Sequence, residues 1–134
     1  MTAPVSEPSV LVVGGGPAGL RAVVDLIGLG IRVVLVEKRG ELGGNPIRWR
    51  YKTLAPEFRP TEEVMAPLID AALSSPLVTI HRNALVEGIA GSAGDFRASI
   101  RADGSGSLTS AEVQAVVVAT GFEHFDASRD PRYE

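Results

Sequence analysis

Not one of the 134 residues is a cysteine. That excludes disulfides, a redox-active dithiol, a thiolate zinc site and a cysteine-ligated iron–sulfur cluster within this polypeptide, so any electron chemistry must rest on a bound organic cofactor or on a partner. No apolar run reaches the length of a membrane span, because charges such as Asp25, Arg32 and Glu37 interrupt each one. An excess of positive charge is also missing. The net charge of -3 gives no basic face for nucleic acid. The opening residues carry neither a basic n-region nor an apolar h-region, so residues 1–8 are expected to be a short loose tail and the protein cytoplasmic. Histidine is limited to His81 and His124, with no acidic residue at metal-ligand spacing, which points to surface or packing roles and no metal site. No G-x-S-x-G elbow occurs, and hydrolase chemistry has no support.

What is present suits one α/β domain. Hydrophobic residues make up 45% and charged residues 22%, and a chain of this length buries roughly two-thirds of its unfolded surface, enough for a true core. The apolar run Val10-Leu11-Val12-Val13 breaks into Gly14-Gly15-Gly16-Pro17-Ala18-Gly19, and a second run, Ile31 to Val36, ends in Glu37. Gly14 permits a sharp turn out of a strand, Gly16 lets backbone approach a pyrophosphate, and Gly19 lets the next helix pack close to the sheet. The helix they open offers unpaired N–H groups and a positive dipole end, an anion site that needs no lysine. Glu37, about twenty residues on, is placed to accept hydrogen bonds from both hydroxyls of a ribose; a 2′-phosphate would be repelled there, which disfavours NADP. Glycine triplets alone are weak evidence in a chain with 15 glycines. Here they follow a Val-rich strand, precede an amphipathic stretch of Leu20, Val23, Val24 and Ile27, and are answered by an acid, which is the context a dinucleotide site requires.

The pattern predicts a strand over Ser9–Val13, a helix over Pro17–Gly28 stopped by Gly28 and Gly30, and a strand over Arg32–Glu37. Lys38 to Pro60 reads as one long polar connection, functional or disordered by its length. A second helix is expected over Pro67–Leu73, with Pro67 at its first position and Thr61 to Ala66 as a separate turn; Glu62-Glu63 and Asp70 look like helix-start and solvent-face charges. Leu77–His81 reads as a third strand. Ala84–Ile89 and the alternating Phe96–Arg101 then form an antiparallel hairpin or meander, and Glu112–Ala119 is the last strand, its Val116-Val117-Val118 apolar on both faces like a central parallel strand. The fold class is therefore α/β: a Rossmann-like parallel sheet with a small antiparallel crossover. Arg48-Trp49-Arg50-Tyr51-Lys52, a basic and aromatic cluster, is either a solvated loop or a surface for a phosphate, an anionic substrate or a neighbouring subunit.

The order V-V-G-G-G-P-A-G, V-E-K, Gly43-Gly44-Asn45, crossover and Val118-Ala119-Thr120-Gly121-Phe122 resembles the FAD domain of the two-dinucleotide-binding-domain flavoproteins, and more narrowly the heterodisulfide reductase A-like flavoproteins. The likeness runs from Ser9 onward and is most specific over Glu37–Asn45 and Ala119–Ala127. It implies FAD as the cofactor, with Gly14, Gly16, Pro17, Ala18 and Gly19 around the diphosphate, Glu37 on the adenosine ribose and Lys38 flanking the adenine. It further implies Gly43, Gly44 and Asn45 along the flavin half, backbone near Leu85 at the adenine ring, and Thr120 and Gly121 closing over the cofactor. Two departures stand out. Members of that family carry cysteines in the segment corresponding to Leu54–Pro60 and in an inserted ferredoxin module, whereas Ala55, Pro56, Glu57 and the short Gly104–Ser107 turn stand here, so those clusters are not expected. In the wider family a nicotinamide domain and a closing Gly-Asp segment follow the Ala-Thr-Gly strand; residues 9–134 lack both, and the chain is expected to be either a fragment or a reduced subunit of a redox complex, completed by the remainder of the flavoprotein or by partner subunits. The resemblance implies an oxidoreductase component that passes electrons through bound flavin. Two other readings remain open at this point: an NAD-binding dehydrogenase domain, and a cofactor-free assembly piece.

Overall fold

The computed structural model describes residues 7–133. Four parallel strands form the central sheet: β1 (Ser9–Val13), β2 (Arg32–Glu37), β5 (Val78–Arg82) and β9 (Ala115–Val118), in the spatial order β5-β2-β1-β9. Both faces of β1 and β2 are apolar, and the period of two divides their side chains between two cores. Val10, Val12, Val33 and Leu35 point to one face, where they meet Leu20 and Val23 of α1 (Pro17–Gly28) and Met65 and Ala72 of α3 (Thr61–Ser74). Leu11 and Val36 point to the other, against Ala84, Ala98, Ile100 and Val113. These last four come from a three-stranded antiparallel meander, β6 (Ala84–Ser92), β7 (Asp95–Ala102) and β8 (Leu108–Val113). The result is a layer of helices, a parallel sheet and a layer of meander.

The first βαβ unit has the expected boundaries. Helix α1 ends in a Schellman arrangement: Gly30, at φ +74°, donates its N–H to Ile27 O, and Ile31 donates to Leu26 O, both at 3.0 Å. The connection after β2 contains more structure than its polarity suggests, namely the short helix α2 (Gly44–Arg48) and a two-residue ladder of β3 (Thr53–Leu54) and β4 (Arg59–Pro60). Of the expected tail, residues 1–6 lie outside the described region, while the Pro8 carbonyl accepts a hydrogen bond from Arg32 N–H at 3.1 Å.

Three expectations are corrected. Helix α3 does not begin at Pro67; it runs without a break from Thr61 through Pro67 to Ser74, and Glu62 and Glu63 lie in its first turn. Its start is held by Thr61 N–H donating to Lys52 O at 3.1 Å and by burial of Met65, while Pro67 and Glu63 face solvent, where a carbonyl that lost its partner can turn to water. Leu73, an apolar residue at the end of the expected helix, is half exposed. Strand β9 is an edge strand rather than a central one, with Val118 72% exposed, and Glu112 and Val113 belong to the meander, paired with Arg97 and Phe96.

Because Pro67 interrupts a helix that tertiary packing holds continuous, Pro67→Ala is expected to stabilise the protein by about 1 to 3 kcal/mol in a urea melt. A neutral or destabilising effect would restore Pro67 as a helix start.

Candidate functional site

The ends of β1, β2 and β9 open on a cleft of about 420 Å³. Its floor is the glycine turn. Gly14 donates its N–H to Val36 O at 2.8 Å and takes φ +108°, and a Cβ there would stand 2.2 Å from the Ala119 carbonyl oxygen. A Cβ on Gly19 would stand 1.8 Å from Gly14 O. Both positions exclude any side chain on backbone grounds alone. Gly16 differs: its φ of -82° is open to any residue, and a Cβ would meet only Gly44 Cα at 3.8 Å, which is ordinary contact. The protein's own packing does not require glycine there. Gly16 faces the cleft at the N-cap of α1, where no side chain caps the helix and Pro17 occupies the first turn. An uncapped helix start beneath open space is a site for an anionic group brought close to backbone.

Glu37 is 7% exposed and makes two hydrogen bonds. Its Oε2 accepts from Gly15 N–H at 2.8 Å and its Oε1 from Arg39 N–H at 2.9 Å. The carboxylate thus braces the glycine turn against the loop after β2, and each oxygen keeps a lone pair for a further donor in the cleft. A second glycine pair completes the floor. Gly43 N–H donates to Gly15 O at 2.7 Å, and Gly44, at φ +63°, brings its backbone so near that a Cβ would stand 2.8 Å from Gly16 Cα.

Of the site residues expected from the sequence, Gly14, Gly16, Pro17, Ala18, Glu37, Lys38, Gly44, Asn45, Leu85, Thr120 and Gly121 line this one cleft. Gly19 and Gly43 lie behind the lining, where they set the approach of α1 and of the Gly43-Gly44 turn. Sequence reasoning did not name Arg39 or Phe122 as site residues, yet both line it, as does Tyr51 of the basic and aromatic cluster. Tyr51 and Phe122 carried no local motif; the basic and aromatic run and the Ala-Thr-Gly-Phe string were their only signals. The loop cluster is not simply solvated: Arg48 stacks on the Trp49 ring at 5.0 Å, and the Tyr51 hydroxyl lies 2.6 Å from His124 Nε2. His81 sits on β5 opposite Val36, away from the lining.

The floor suits a dinucleotide: an uncapped helix start, one glycine left free of internal constraint and a braced carboxylate. The sequence model of the family described as FAD dependent oxidoreductase matches residues 9–129. Among curated relatives, the first iron-sulfur A subunit of the CoB--CoM heterodisulfide reductase of Methanopyrus kandleri is 37% identical over 98 residues, 70% of this chain and 14% of that protein. The A subunit of the ferredoxin:CoB-CoM heterodisulfide reductase of Methanosarcina acetivorans is 34% identical over 94 residues, 68% of this chain and 12% of that protein. The chain therefore spans about a seventh or less of the length of these relatives. Among solved structures, L-proline dehydrogenase from P. horikoshii superposes with a TM-score of 0.72 at 25% identity, covering 85% of this chain and 22% of its own. The flavin-dependent monooxygenase PieE, in complex with FAD and substrate, superposes with a TM-score of 0.66 at 16% identity, over 89% of this chain and 31% of its own, a likeness of fold.

The three fingerprint glycines separate by experiment. Gly14→Ala and Gly19→Ala are each expected to cost about 2 kcal/mol or more in a urea melt, through backbone collision. Gly16→Ala is expected to stay within about 0.5 kcal/mol of the native stability. A Gly16→Ala protein as unstable as Gly14→Ala would contradict the geometry.

Proposed function

This chain belongs to the FAD dependent oxidoreductase family, with FAD as its cofactor, and on that premise we propose how its residues hold the dinucleotide and what the domain serves. The diphosphate lies over the start of α1, against Gly14, Gly16, Pro17 and Ala18, with Gly19 fixing the helix beneath. Glu37 accepts hydrogen bonds from the adenosine ribose, Lys38 flanks the adenine, and backbone at Leu85 meets the adenine edge from the meander. Gly44 and Asn45 run along the flavin half, with Gly43 setting their turn from behind, while Thr120 and Gly121 close over the cofactor where β9 ends. The observation that carries this reading is Gly16, a glycine that nothing in the protein's own packing demands, at an uncapped helix N-terminus.

When bound, FAD supplies two-electron and one-electron redox chemistry, and the protein supplies orientation and electrostatics. The helix dipole and main-chain amides stabilise the negative diphosphate without a counter-cation. The bond from Gly15 N–H keeps the Glu37 carboxylate aimed at the cleft, so the ribose meets an acceptor already in place. Cysteine is absent, so no iron–sulfur cluster resides in this chain.

The likeness to the A subunits of heterodisulfide reductases supports a role as a flavin-binding component that receives electrons and hands them to partner subunits, or to the rest of the same flavoprotein. Among the described residues, no helix is long and apolar enough to cross a membrane. Glu37 would serve the ribose of NAD equally well, which keeps a nicotinamide-binding domain as a second reading.

Side-by-side calorimetry decides between the two: FAD is expected to bind more tightly than NADH. Glu37→Ala is expected to weaken FAD by about 10-fold or more, as a lost charged acceptor should. Tighter NADH binding would favour the dehydrogenase reading, and a partner that co-purifies with a flavin-free chain would favour the assembly role.

A further inference from the structure

One wall of the cleft is built differently from the others. Ala119 N–H donates to Val13 O at 2.8 Å, the last backbone tie between β9 and the body of the protein. Beyond it, Thr120, Gly121 and Phe122 line the cleft, yet among the described residues no backbone pairing joins the stretch from Thr120 to Phe125 to another element. Side-chain contacts hold it instead: those at Phe122 to His124 meet the loop after β2, while the Phe125 ring lies edge-on to Tyr133 at 6.3 Å. Asn45 Nδ2 donates to the Phe122 carbonyl at 2.9 Å, Lys38 Nζ meets Glu123 Oε1 at 3.0 Å, and the Tyr51 hydroxyl lies 2.6 Å from His124 Nε2. The His124 ring sits edge-on among Trp49, Phe122 and Tyr51, with centroids at 5.2, 5.4 and 6.0 Å. Lys38, with Arg39 and Arg48 at longer range, holds the Glu123 carboxyl below its ordinary range. Gly121, at φ +69°, takes a left-handed conformation that favours glycine, and nothing lies within 4 Å of its Cβ position.

A segment tied by exposed side-chain contacts opens at far lower cost than one tied by a strand ladder. We propose that residues 120–125 form a strap that lifts from the Lys38–Tyr51 loop to admit or release the dinucleotide, with Glu123 and His124 as the latch that sets its residence time. The proposal rests on the flavin reading of the cleft. Neither latch residue is needed to touch the nucleotide; both act by holding Thr120 to Phe122 in place.

The test uses the whole chain with FAD and stopped-flow detection of flavin fluorescence. Glu123→Lys, which turns the Lys38 attraction into repulsion, and His124→Ala are each expected to speed FAD release by about three- to ten-fold, the effect of one such contact. They are also expected to speed entry, so that Kd moves less than the release rate. Trp49, the single tryptophan, gives a flavin-independent readout: losing the neighbouring imidazole in His124→Ala should raise its emission in the free protein. Unaltered release in both variants, faster release without faster entry, or unchanged Trp49 emission would each overturn the strap. Absence of FAD uptake by the native chain would instead sink the flavin reading, and the strap with it.

Discussion

Gly14 stands where three strands and a helix compete for the same volume. Its N–H is taken by Val36 of β2, its missing Cβ makes room for the Ala119 carbonyl beyond β9, and its own carbonyl lies where a side chain on Gly19 would be. No other residue type fits, and the consequence is positional rather than merely local. Because the turn is this tight, α1 starts directly beneath the ends of the strands, and its first amides open on the cleft instead of on solvent beside it. A larger turn would carry the positive end of the helix away from the carboxylate of Glu37, and the two halves of a nucleotide site would no longer face one space.

The layers explain why the remaining walls come from distant parts of the chain. Alternation along β1 and β2 gives each strand two apolar faces, so the sheet must be covered twice, by α1 and α3 on one side and by the meander on the other. Covering it with the meander brings Ala84, Leu85 and Val86 to the cleft, next to the loop that follows Glu37. Burial of aliphatic side chains holds the layers, and the same strands lend Val13, Val36, Ala84, Leu85 and Val86 to the cleft, whose polar contacts come from main-chain groups and one braced carboxylate.

Much of this was legible in the sequence because the first forty residues state it twice, once as hydrophobic period and once as glycine spacing. β1, α1 and β2 have the boundaries those patterns imply, down to the Gly30 stop. Elsewhere tertiary forces decided. Pro67 reads as a helix start by its missing N–H, but burial of Met65 and anchoring of Thr61 carry the helix through it. The valines of β9 read as central because both faces are apolar, yet Val118 lies at an exposed edge. Arg39, Tyr51 and Phe122 reach the cleft through loop geometry, which has no period to read.

The central claim is that backbone amides at the α1 start grip the diphosphate while Glu37 holds the adjoining sugar. Amide chemical-shift mapping during titration with ADP tests this most directly, since ADP carries the diphosphate and ribose without the flavin. The account predicts that the largest shifts fall on the amides of Gly14, Gly16, Ala18 and Gly19 and on those that Glu37 braces, Gly15 and Arg39. Shifts confined to the outer strands of the meander or to α3, with the glycine turn unmoved, would contradict it.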